Sequence, residues 1–89
     1  MSTMLVQFQV RDFASWRKVF DSVSEVRKSR GMLSGQVFHD AADPNKVVLL
    51  IKWDTLENAK KWNQSPELKA GQEKAGVILP VDTRFLTEM

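Results

Sequence analysis

From Met4 to Val10 the chain alternates with a period of two. Met4, Val6, Phe8 and Val10 fall on one side, and Leu5, Gln7 and Gln9 on the other. That spacing predicts a strand with one buried face. The period then lengthens. Phe13, Trp16, Phe20, Val23 and Arg27 recur every three or four residues, the stripe of an amphipathic helix whose first amides Asp12 is placed to cap. Gly31 is the predicted stop, after a basic last turn of Arg27, Lys28 and Arg30 that suits the helix dipole.

A second strand is predicted from Leu33 to His39 and a third from Lys46 to Trp53, with Asp43-Pro44-Asn45 as the turn between them. Val47 to Ile51 is uninterruptedly apolar, so this third strand offers apolar side chains to both faces: Val47, Leu49, Ile51 and Trp53 on one, Val48 and Leu50 on the other. Asp54-Thr55-Leu56-Glu57 fits a capping arrangement with Glu57 reaching back, followed by a short helix with Leu56, Ala59 and Trp62 as its stripe. Ser65-Pro66 starts another helical piece, with Leu68, Gln72 and Ala75 on one side and Gly76 at its end. The last strand is predicted over Val77 to Leu86, with Pro80 marking a bulge or an edge position.

The order β-α-β-β-α-β predicts an α+β, ferredoxin-like fold, a four-stranded antiparallel sheet with helices on one face, in a single domain over residues 1–89. Helices on one face leave the other uncovered. Val48, Leu50 and Leu5 give that face apolar character, and a second copy of the chain is the partner expected to cover it, forming a dimeric α/β-barrel. Hiding roughly 600 Å2 of apolar surface per subunit would contribute about 15 kcal/mol before the cost of association.

Composition narrows the chemistry. The 89 residues include no Cys, one His and a formal charge of +2, with 43% hydrophobic and 27% charged residues. Thiolate metal sites and disulfides are excluded, and one His among scattered carboxylates predicts no metal site. Positive and negative charges alternate, as in Asp54-Glu57-Lys60-Lys61, so no basic stripe predicts a nucleic-acid partner. No apolar run is long enough to span a membrane, and MSTMLVQFQVRD lacks the basic start and long apolar run of a secretory signal; a cytoplasmic location is the expectation. Isolated Gly31 and Gly35 make no phosphate loop, so no nucleotide fold is indicated.

The candidate functional residues are few. His39, beside Asp40, is the only side chain with an ordinary pKa near neutrality, a candidate base or a simple solvated strand end. Trp53 and Trp62 sit at amphipathic positions that suit core packing or, with the adjacent Asn63, the open end of a cleft between sheet and helices, whereas Trp16 reads as core. Gln7 and Gln9 share a face and need partners if that face is buried. Arg84 can hold a carboxylate or an enolate oxygen, or simply pair with Asp82.

With the element order, the early aromatic helix DFASWRKVFD and the stretch LLIKWDTLENAKKWNQSPELKAGQEKAGV, the chain resembles the antibiotic biosynthesis monooxygenase-like superfamily of dimeric α/β-barrels. The resemblance covers nearly the whole chain as layout. It implies a homodimer with a small-molecule pocket between each sheet and its own helices. It also implies, for oxygenase members, pocket Asn, Trp and Arg side chains around an electron-rich substrate that itself helps to activate oxygen. Asn63, Trp62, Trp53 and Arg84 are of matching types. The haem-degrading members carry an early-strand Asn and a helix-borne His; here the early strand carries Gln7 and Gln9 and the second helical segment has no His, so no haem or other cofactor is expected. The function that follows is a cofactor-independent oxygenase of a small aromatic or enolic substrate, with Trp53, Trp62, Asn63, Gln7 and Gln9 binding and His39 and Arg84 catalytic. A non-catalytic binding or structural dimer is the alternative, as is an isomerase or cyclase that needs a base such as His39 in the pocket.

Overall fold

The two strands of clearest apolar pattern, β1 (Ser2–Val10) and β3 (Lys46–Trp53), lie side by side at the centre of the sheet. They are flanked by β2 (Met32–His39) and β4 (Val77–Leu86), giving one antiparallel sheet in the order β2-β3-β1-β4. The computed structural model, which describes residues 2–89, adds α1 (Phe13–Ser22), α2 (Ser24–Ser29), α3 (Leu56–Asn63) and α4 (Pro66–Ala75), packed on one face. This is the ferredoxin-like arrangement expected of the alternating periods. Met4, Val6, Val10, Val47, Leu49, Ile51 and Trp53 point from the central strands into the core, where Trp16, Ala59, Trp62 and Ala75 meet them.

The predicted single helix from Asp12 to Gly31 is two helices. Asp12 caps the first by accepting from Ser15 N at 2.9 Å, but the helix ends at Val23, whose φ of −108° and ψ of 17° leave the helical region. The β-branched Val23 lies between two serines, a run of modest helix propensity, and Ser22 Oγ turns back to donate to the Val19 carbonyl. Arg27 Nη2 donates to the Phe20 carbonyl at 2.8 Å, so an oxygen near the break keeps a partner.

The cap of α3 also differs from expectation. Thr55, one residue later than Asp54, is the cap, accepting from Asn58 N at 3.1 Å. Asp54 Oδ1 instead accepts from Thr55 N and from Asn58 Nδ2, and Glu57 pairs forward with Lys61 rather than reaching back. At α4, Ser65 and Pro66 behave as their types dictate, with Ser65 Oγ accepting from Leu68 N and Gly76 closing the helix at φ +75°. Pro80 lies in edge strand β4, between Ile78 and Asp82, where pairing with β1 shifts register across Gln7 and Gln9.

The face of the sheet away from the helices carries Leu5, Gln7 and Gln9 from β1 opposite Leu50, Val48 and Lys46 from β3. Phe38 pairs with Val48, and Ile78 with Gln9, extending this face to both edges; they are 47% and 41% exposed.

Candidate functional site

Two layers that meet at an angle do not fill the space between them completely. A cavity of about 80 Å3 lies between helices and sheet, and with its mouth the unfilled space reaches about 670 Å3. The sheet contributes Met4, Val6, Leu49 and Ile51 as an apolar floor. One wall is aromatic: Phe8 lies 5.5 Å from Trp16, which stacks on Phe20 at 4.9 Å with the planes 25° apart. Their spacing on the stripe of α1 brings Trp16 and Phe20 together one turn apart.

The opposite wall comes from α3 and α4. Trp62 is buried and its carbonyl accepts from Ser65 Oγ at 2.8 Å, fixing the tight turn between the two helices. Asn63, next along α3, also lines the cavity, as do Leu68, Gln72 and Gly71 of α4. A Cβ built at Gly71 meets nothing within 4 Å, so the missing side chain leaves open space at that wall.

Two charged groups reach the site. Glu67 lines it with a half-exposed carboxylate that accepts from Arg30 Nη2 at 2.7 Å. Its own backbone amide and Arg30 hold its pKa below the ordinary 4.5, which makes it a poor base. Arg27 is different, being 3% exposed. Its guanidinium sits 3.7 Å over the Phe20 ring, and its Nε is buried with no hydrogen-bond partner. Burial pushes its pKa down to about 10, with Asp21 raising it and Arg17 lowering it, so the group is still a cation at neutral pH. An unsatisfied buried donor costs roughly 1–3 kcal/mol.

Of the expected site residues, the structure brings Trp62 and Asn63 to the cavity. The other five stand away from this cavity. Trp53 is fully buried behind Trp62, their ring centroids 6.2 Å apart, because it continues the inward face of β3 beneath the helices. Gln7 and Gln9 are exposed on the far face, as their alternation with Met4, Val6 and Phe8 requires. Arg84 pairs with Leu5 across the strands on that same far face, and its Nε is 3.7 Å from Asp82 Oδ2. His39 is exposed at the end of β2, its ring edge-on to Phe13 at 4.9 Å and its Nδ1 3.0 Å from the Asp40 carbonyl. Neither His39 nor Phe13 lines the cavity.

Arg27, Gln72 and Glu67 line the cavity and were not among the residues expected from the sequence. Arg27 had a legible signal, a cation that continues the apolar stripe of the helix predicted from Asp12 to Gly31. Among the described residues no group of three or more His, Cys, Asp or Glu is placed to hold a metal ion, and no helix is long and apolar enough to cross a membrane.

Residues 1–74 match the family model described as antibiotic biosynthesis monooxygenase. Among solved structures, SnoaB, a cofactor-independent oxygenase from Streptomyces nogalater, superposes with a TM-score of 0.80 at 14% identity, covering 99% of this chain and 92% of that one. Rv0793 from Mycobacterium tuberculosis gives 0.73 at 16% identity over 99% and 94% of the two chains. A conserved protein from Methanosarcina mazei gives 0.76 at 14% identity over 100% and 94%. At such identities the likeness is one of fold. No curated protein matches the chain.

Proposed function

The chain belongs to the antibiotic biosynthesis monooxygenase family, and from that premise we propose that its cavity takes up a small electron-rich aromatic or enolic compound and oxygenates it without a cofactor. The observation that carries this reading is the aromatic-walled cavity itself, with Phe8, Trp16, Phe20 and Trp62 around an apolar floor and Asn63 and Gln72 as polar points. The likeness to SnoaB, a cofactor-independent oxygenase, supports it. A dry cavity of roughly 150 Å3 holds benzene, so here a ring seats with part of its body in the mouth.

In such a reaction the substrate supplies the electrons. A ring methylene or enol loses a proton, and the carbanion passes its electrons to molecular oxygen. The carbon-bound hydroperoxide that forms then breaks its O–O bond, leaving a carbonyl on the substrate and one water. The protein's part is to orient the ring, exclude water and stabilise the charge on the substrate oxygen. Glu67 is held by Arg30 and His39 is remote, so the proton leaves a substrate acidic enough to ionise with little help.

The same reading includes a homodimer. The far face carries Leu5, Leu50, Val48 and Phe38 with no covering element among the described residues, and a two-fold copy placed on it buries both faces at once. Pairing through that face leaves the helix-covered cavity of each subunit free.

Oxygen-electrode measurements with naphthohydroquinones and anthrone test the activity. One oxygen consumed per carbonyl formed, with N63A and W62F each slowing turnover, is the expected result. Tight binding of these compounds without oxygen uptake would overturn the oxygenase reading in favour of a non-catalytic binding dimer.

A further inference from the structure

We propose that Arg27 is the anion anchor of this cavity, its free Nε–H receiving the ionised oxygen of an aromatic ligand, an enolate, phenolate or carboxylate. The inference rests on the reading of the cavity as a small-molecule site and names the class of compound that enters it.

Three features point the same way. Arg27 is 3% exposed, lines the cavity, and has no carboxylate within salt-bridge distance among the described residues. Asp21, the acid nearest it in sequence on α1, is instead occupied by Arg17 at 3.1 Å. A cation taken out of water without a counter-ion is unfavourable, and proteins seldom bury one that no partner meets.

The guanidinium is also held rather than loose. Nη2 is fixed on the Phe20 carbonyl at 2.8 Å and the plane lies 3.7 Å over the Phe20 ring, which leaves Nε as the buried donor still to be used. A preorganised donor loses little freedom when an acceptor arrives.

The surroundings select the rest of the ligand. Phe20 stacks on Trp16, so an oxyanion at Arg27 places its ring beside an aromatic wall. Glu67, the one acidic side chain at the site, is already neutralised by Arg30. A neutral aromatic gains the wall but not the charge. An ionised one gains both.

Matched probes test this. Binding to the wild-type protein is measured by calorimetry for 2-hydroxy-1,4-naphthoquinone, ionised at neutral pH, against its methyl ether, and for 2-naphthoate against its methyl ester. Each anion preferred over its neutral partner by about tenfold or more is expected, the ratio a charge-assisted hydrogen bond provides. R27M and R27Q should abolish the preference while retaining the neutral partner's affinity. A preference in only one pair supports the anchor and identifies the oxyanion it takes. In the wild-type protein, the Arg27 Nε–H resonance should move downfield with the anion and not with the ether, a readout independent of how the variants fold. Equal binding of anion and neutral partner, or a preference that survives in R27M, overturns the anchor and leaves the cavity reading intact. Failure of all four probes to bind overturns both.

Discussion

Arg30 Nη2 lies 2.7 Å from Glu67 Oε1, tying the end of α2 to the first turn of α4 beside the cavity. The Glu67 pKa is held below 4.5, so its contribution to stability is present above that value and lost as pH falls through the lower folded-state value. In urea denaturation, E67Q should lower the midpoint near pH 7, and the difference should shrink as pH falls below the ordinary carboxylate value. The pair is half exposed, so the difference should also shrink in about 1 M salt. A difference independent of pH would assign it to packing.

Gly71 lies within α4, where glycine costs roughly 0.5–1 kcal/mol relative to alanine, and open space faces it. G71A should therefore gain about that much in urea denaturation. G71F should fill the cavity and weaken binding of naphthoquinone probes at least severalfold. Undiminished binding by G71F would move the ligand site elsewhere.

Leu50 pairs with Leu5 at the middle of the uncovered sheet face. Wild-type protein should sediment as a dimer at micromolar concentration and L50E as a folded monomer, because a buried carboxylate facing its own symmetry mate is repelled and desolvated. A monomeric wild type would remove the dimer from the proposal.

Gly31 has φ +110°, and a Cβ there would collide with Asp54 Oδ1. G31A should cost about 1–3 kcal/mol by urea denaturation, with D54A in the same chain recovering the part due to the collision. A change below about 0.5 kcal/mol would mean that the turn adapts freely.

The fold was legible because its determinants are local and periodic. Val47 to Trp53 could only be a central strand, and Ser65-Pro66 and Gly76 bracket a helix by the chemistry of those residues alone. The break at Val23 was not legible, since the carbonyl near it is satisfied by an arginine seven residues away along the chain. The site was half legible. Trp62 and Asn63 follow from the α3 stripe, and the orientation of Gln7 follows from its parity with Met4 and Val6. Residue type did not place His39, Arg84 and Trp53 relative to the cavity, because a polar or aromatic type does not say which side of a sheet, or which depth beneath a helix, its backbone position commands. Arg27 shows the converse, a charge whose place on an apolar stripe carried more information than its type.

Met4, Val6, Trp16, Leu49, Ile51 and Trp62 belong both to the buried core and to the cavity wall. A compound that enters thus becomes part of what holds the chain folded, and heat will report it. At a hundred times its dissociation constant a ligand adds about 2.7 kcal/mol, and in a domain this small that corresponds to a melting temperature raised by about 10–20 °C. A library of acidic aromatics can be ranked by melting alone, before any reaction is assayed.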